Sequence, residues 1–152
     1  MNNLPKIFEN CAKSILEKYP NIQTKWDDNG TKRSRLTIYK QDENGFDIIV
    51  EAETYGLYPF AGGWHGAPWE IGPTDTTPEK LCEQFMGFIR SLLCTDAMLE
   101  VKYASGFSYK WILTYPTEQG IESEVTGLLF YNYFGKRTNR IFQNQHLPPR
   151  YK

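Results

Sequence analysis

The sequence predicts an α+β fold in which a largely antiparallel, twisted sheet of about six strands packs against two helices. Two segments, one near the N-terminus and one after residue 77, carry apolar residues at helical spacing. Most of the remaining chain alternates apolar and polar residues over short segments bounded by glycine, proline and asparagine, which is typical of antiparallel strands. Because few strands alternate singly with helices, a doubly wound parallel fold is disfavoured. The predicted order is helix, two or three strands, helix, and three or four strands.

Both predicted helices carry start signals. The first spans Leu4 to Tyr19, with Asn3 as its N-cap and an apolar stripe on one face, and Pro20 ends it. The second begins after Thr77, a good N-cap, with Pro78 in the first helical position. It continues to about Cys94 and presents leucine, isoleucine and phenylalanine to the core.

The predicted strands are short. Residues 33–40 and 46–55 alternate on either side of an Asn44-Gly45 turn, which predicts a hairpin. Before the second helix we also predict a turn at 26–30 and a connection at 56–71 with a strand near 64–71. After that helix we predict strands at 98–104 and 109–115, the latter ended by Pro116, and then a loop at 118–124. A central strand at 125–134 and an edge strand at 139–143 follow. We expect residues 1–152 to form a single domain with a polar tail from about residue 143.

Charge and composition exclude several classes of protein. The net charge of −1 lacks the dominant basic field of a general nucleic-acid binder, so nucleic acid is disfavoured as a partner. No segment reaches about 18 consecutive apolar residues, so no membrane span is predicted. The three cysteines (Cys11, Cys82, Cys94) lack paired spacing. Cys11 and Cys82, on the apolar faces of the predicted helices, are interpreted as small buried hydrophobic residues in a reducing, cytoplasmic protein without a signal peptide. No metal-ligand motif is present, and no cofactor is predicted.

The most unusual part of the chain is Gln41 to Glu79, which contains eight carboxylates and no lysine or arginine. In the strand 46–55, Asp47, Glu51 and Glu53 fall on the same outward face, and neighbours on that face are about 6.6 Å apart. A local acidic field of this kind can steer a basic partner. Arg33 and Arg35 of the preceding strand are predicted to lie across from some of these carboxylates, which would weaken the field.

An aromatic, glycine-rich segment follows this strand. Residues 61–69 read Ala-Gly-Gly-Trp-His-Gly-Ala-Pro-Trp. Tryptophan and tyrosine anchor many interfaces, although both tryptophans of this segment could equally close one end of the core. The predicted partner-binding residues are Asp47, Glu51, Glu53, Tyr58, Trp64, His65, Trp69 and Glu70.

Two alternatives stay open. The first is a small-molecule-binding module or hydrolase with a pocket around His65 and nearby carboxylates, in which His65 acts as a base. The pair Glu51 and Glu53 has a separation within the range of two-carboxylate sites. No nucleophile motif or phosphate-binding loop is present, and no catalytic residue is assigned. The second alternative is self-association through exposed aromatic residues.

No specific motif assigns the chain to a family. In size, acidity and aromatic content it resembles the small cytosolic α+β immunity proteins that neutralise bacterial toxins, many of which use acidic faces against basic nucleases. This resemblance implies a non-enzymatic bacterial protein that inhibits a basic partner, such as a toxin nuclease. Our leading hypothesis is binding of such a partner through the acidic and aromatic residues named above.

Overall fold

The computed structural model describes residues 3–28, 32–72, 76–127 and 135–150. Within these ranges the chain forms two helices and ten strands, with mostly antiparallel pairing, which confirms the predicted α+β class and element order. The strands divide between two sheets. The elements are α1 (Leu4–Leu16), β1 (Thr24–Asp28), β2 (Arg33–Ile38), β3 (Ile48–Glu53), β4 (Gly56–Ala61), β5 (Trp64–His65), β6 (Trp69–Glu70), α2 (Pro78–Leu93), β7 (Met98–Ala104), β8 (Phe107–Thr117), β9 (Gly120–Gly127) and β10 (Arg137–Phe142).

The helix starts follow the predicted capping chemistry. The side chain of Asn3 accepts a hydrogen bond from the backbone N–H of Lys6, and Thr77 caps α2 by accepting from the N–H of Lys80, each at 3.2 Å. Pro78 occupies the first turn of α2, where its missing donor has no intrahelical partner to lose. The first helix ends at Leu16, three residues before the predicted end.

The first sheet has the strand order β1-β2-β3-β4-β5, and β6 also pairs with β4. Its inward row includes Ile48, Val50 and Ala52 of β3, which are fully buried, as are Leu4 and Phe8 of α1. The predicted alternation of β3 is therefore confirmed. Because this alternation points its odd-numbered residues outward, the carboxylates of Glu51 and Glu53 lie on the outer face.

The second sheet has the order β10-β7-β8-β9. The predicted strand 98–104 matches β7, whereas β8 is longer than predicted and continues through Pro116. Pairing of β7 with β8 stops at Thr114, so no described strand pairs with that edge of β8 beyond this point and a proline is tolerated there. The edge strand predicted near residue 139 is β10.

Several predicted loops are strands. Residues 24–28 form β1 where a turn was expected from Trp26, and residues 56–61 form β4 within the predicted connection. The expected loop 118–124 belongs largely to β9, which pairs with β8 from Gly120 to Gly127. The prediction of a covered central strand from Val125 is wrong for residues 125–127, because β9 lies at the edge of the sheet formed by the described strands and Val125 is exposed. Residues 128–134 lie outside the described residues.

The segment after β10 packs along α2. Asn144 is 1% exposed, and its side chain accepts a hydrogen bond from the N–H of Phe46 and donates one to the carbonyl of Leu92. Further along, Arg150 donates to the carbonyl of Gly87 and to the hydroxyl of Ser91. These contacts fix the tail against the side of α2 that borders the site described below.

No helix of the described residues is long and apolar enough to cross a membrane.

Candidate protein-binding surface

The outward carboxylates of β3 face arginines on the neighbouring strand β2. Arg33 pairs with Glu53 and Arg35 with Glu51 across the sheet, so both arginines lie across from carboxylates of β3 as predicted. Arg33 donates a hydrogen bond to Glu53, and the guanidinium of Arg35 lies 3.8 Å from the carboxylate of Glu51. Tyr58 of β4 stands opposite Glu51 and is half-buried. The charge of this β3 row, Glu51 and Glu53, is therefore largely compensated by its own sheet.

Asp47 has a local structural role. Its carboxylate accepts a hydrogen bond from the backbone N–H of Lys40 at 2.8 Å, and its carbonyl accepts one from the N–H of Gly62 at 3.0 Å. These bonds tie the β2–β3 connection to the turn after β4. The aspartate lines a hollow of about 320 Å³ between the sheets, next to Trp111 and Phe142.

Trp64 lies in the core. It is 1% exposed, and its ring centroid is 6.4 Å from that of Phe88 on α2. At 1% exposure the side chain presents almost no area that a partner could cover, contrary to the predicted direct contact. Trp64 instead supports the surface from below, in the core role that the sequence also allowed.

His65 is exposed and is held by its backbone. The hydroxyl of Thr126 on β9 donates to the carbonyl of His65 at 2.8 Å, so the two sheets are connected at this point. Its imidazole forms no ion pair with a carboxylate of the described residues. It is also absent from the linings of the two hollows that adjoin Trp69. The sequence-predicted pocket around His65 does not form at these hollows.

Among the predicted partner-binding residues, Trp69 has the surroundings best suited to a binding anchor. It is half-buried, stacks on Phe88 with a centroid distance of 5.6 Å and an interplanar angle of 29°, and meets Phe85 edge-on at 5.2 Å. Phe88 in turn contacts Tyr115 of β8 edge-on at 5.0 Å. These contacts lock the indole in place, so its remaining exposed area is rigid. Rigid aromatic side chains make good binding anchors because little rotamer entropy is lost when a partner covers them.

Two hollows meet at Trp69. The larger, of about 620 Å³, lies between α2 and the β8–β9 hairpin, and its carboxylates are Glu83 of α2 with Glu118 and Glu122 of the hairpin. The smaller, of about 350 Å³, lies beside the 64–70 segment and carries Glu70 and Glu124. We call this set of residues the Trp69 surface: Trp69, Glu70, Glu83, Glu118, Glu122 and Glu124.

The carboxylates of the Trp69 surface differ from those of the β3 row. All five are exposed, and none forms an ion pair with a cation in the described parts of the chain. Partial burial by neighbouring atoms, followed by repulsion from Glu122, raises the pKa of Glu124 above its ordinary value. Burial is also the first cause that raises the pKa of Tyr115 to about 12, and the nearby Glu124 and Glu122 add to the shift. Its phenol therefore stays protonated and donates to Glu122 at 3.4 Å.

Sequence reasoning missed Glu83, Glu118, Glu122 and Glu124. The last three lie in the segment 118–124, which contains no lysine or arginine and was expected to be a loop. Glu122 and Glu124 are two residues apart on one strand, which puts their side chains on one face. The available signal was this second, shorter acidic segment. It carried no information about its distance from Trp69, which depends on how the two sheets meet.

The described residues contain no group of three or more histidine, cysteine, aspartate or glutamate side chains arranged to hold a metal ion. The three cysteines are free, with Cys82 and Cys94 buried and Cys11 half-buried. Comparisons with protein-family models, curated proteins and solved structures find no match for this chain.

Proposed function

We propose that this protein binds a basic protein partner through the Trp69 surface. The observation that carries the proposal is the presence of five exposed carboxylates, none of them paired with a described cation, around one rigidly held tryptophan. Carboxylates without a cationic partner in their own chain attract a cationic surface and can form charge-assisted hydrogen bonds with its lysines and arginines. The tryptophan supplies apolar contact area that a partner can desolvate.

The charge of the surface favours a protein over a nucleic acid. Phosphate backbones are repelled by clustered carboxylates, and nucleic-acid affinity depends on cations that neutralise phosphates. A basic protein gains affinity and a faster association rate from the same field.

The kind of partner is a narrower proposal. On the resemblance in size, acidity and aromatic content to immunity proteins, we propose that the partner is a bacterial toxin of the basic nuclease kind, and that binding occurs in the cytoplasm. The mechanism is obstruction: the acidic surface covers the cationic residues with which such a toxin holds its substrate. No chemical step is required of this chain, and no enzymatic function is proposed for His65.

The β3 row is the competing location for the contact, and it provides a matched control. The test is affinity capture from the native cell lysate with a salt gradient and mass spectrometry. It compares the wild type with two double variants, each of which loses two negative charges. The first variant combines Glu118→Gln and Glu122→Gln. The second combines Glu51→Gln and Glu53→Gln.

We expect one stoichiometric basic protein that elutes from the first variant at lower salt than from the wild type. Elution from the second variant should be unchanged, because its carboxylates are already paired with arginines. Loss of the protein from the second variant alone would move the contact to the β3 row. Failure to capture any basic protein at low salt would contradict the proposed function.

A further inference from the structure

We propose that the groove between α2 and the β8–β9 hairpin receives one arginine side chain of the basic partner. This inference rests on the proposed function and adds the chemical group that enters the larger hollow. Its volume of about 620 Å³ falls within the range of about 300–1,000 Å³ found for ligand sites. The groove is therefore large enough for a long side chain and the backbone that carries it.

The wall of the groove is aromatic. Trp69 lines it with a half-buried indole, and Phe88 and Tyr115 line it with 8% of their surface exposed; the ring contacts of Phe88 with the other two hold all three in a fixed orientation. A guanidinium is planar and weakly hydrated, so it stacks on aromatic faces at a smaller desolvation cost than the compact ammonium of lysine. This wall favours arginine over lysine.

The rim of the groove is acidic on both sides. Glu83 projects from α2, and Glu118 and Glu122 project from the hairpin. With the single guanidinium of Arg150, the charged lining sums to −2. A second guanidinium would bring the groove closer to neutrality, and carboxylates on two walls offer acceptors to its several donors.

The chain already places one guanidinium at an edge of this groove. Arg150 donates to the carbonyl of Gly87 and, at 2.7 Å, to the hydroxyl of Ser91. These bonds direct Arg150 toward the backbone of α2, and the hollow of about 620 Å³ remains beside it. Acceptors of α2 thus hold the guanidinium of Arg150, while the carboxylates of Glu83, Glu118 and Glu122 form no ion pair with a cation of the described residues.

The test is a titration of the isotopically labelled full chain with Nα-acetyl-arginine amide, followed by NMR at the indole N–H of Trp69. The indole signal is assigned from its loss in Trp69→Phe. The citrulline amide is the neutral comparator, and the lysine amide is the cationic comparator. The protein variants are Glu83→Gln with Glu122→Gln, and the control Glu51→Gln with Glu53→Gln.

We expect a saturable shift at Trp69 with the arginine compound. The half-saturation concentration should rise at least about fivefold for the citrulline compound and for the Glu83/Glu122 variant, since each removes one side of the charge pairing. The control should stay within about twofold of the wild type, because its carboxylates lie outside the groove. Absence of a saturable shift, or equal binding of citrulline, would overturn the inference, and equal binding of lysine would overturn its choice of arginine.

The two proposals can fail separately. A captured basic protein that depends on Glu118 and Glu122, together with no shift at Trp69, would refute the arginine groove and leave the proposed function standing. A saturable shift without any captured basic protein would support the groove and refute the proposed function.

Discussion

Gly63 is a residue whose identity is dictated by one neighbour. A Cβ at this position would lie 2.3 Å from the indole nitrogen of Trp111 and 2.4 Å from the adjacent ring carbon. The preceding residue, Gly62, has a positive φ of 59°. Together the two glycines form the connection between Ala61 of β4 and Trp64 of β5, which are paired across the turn. This tight turn brings Trp64 back into the core and sets the start of the segment that ends at Trp69.

We predict that Gly63→Ala lowers the free energy of unfolding by about 1–3 kcal/mol, because the Trp111 ring must move to admit a methyl group. The measurement is urea denaturation. The matched control is Gly72→Ala, where a Cβ would meet nothing within 4 Å. Equal stability of the two variants would show that Trp111 adapts at no cost, and the packing argument for this turn would be wrong.

The elements differ in how strongly the sequence specifies them. The second helix was predictable because Thr77, Pro78 and the apolar stripe all indicate the same start and face. Strand β7, the hairpin partner of β8, was predictable because its apolar and polar residues alternate clearly. By contrast, β9 has all but one of its residues exposed, so its sequence carries no inward apolar row from which a strand could be inferred. It is a strand because β8 offers it a long paired edge, which is a tertiary effect that local propensity does not report.

Gly87 in the middle of α2 is an exception to the helix-forming character of that element. A Cβ there would have Arg150 Nη2 at 3.7 Å, an ordinary van der Waals distance, and no closer neighbour. We predict that Gly87→Ala raises the free energy of unfolding by about 0.5–1 kcal/mol, since alanine loses less backbone entropy in a helix. Thermal and urea denaturation would measure the gain. A destabilised variant would indicate that the contact of Arg150 with α2 requires the bare backbone.

At the scale of the whole molecule, the acidic segment Gln41 to Glu79 and the Trp69 surface are largely different sets of residues. The carboxylates of β3 are conspicuous in the sequence, and the pairing of β2 with β3 gives Glu51 and Glu53 an arginine each. The Trp69 surface is assembled from β6, α2 and the β8–β9 hairpin, which are distant in sequence. Trp69 and Glu70 could be nominated from composition alone. Their companions could not, because only the packing of α2 against both sheets brings Glu83 and Glu122 to the same tryptophan.

The most direct measurement of the central claim is carboxyl footprinting of the protein with and without its captured basic partner. Carbodiimide coupling to glycine ethyl ester labels exposed carboxylates, and mass spectrometry gives the extent of labelling at each site. We predict that labelling of Glu70, Glu118 and Glu122 falls at least about threefold in the complex, as expected for residues inside a specific interface. Labelling of Glu53 should stay unchanged. Protection of Glu51 and Glu53, with Glu118 and Glu122 still labelled as in the free protein, would contradict the assignment of binding to the Trp69 surface.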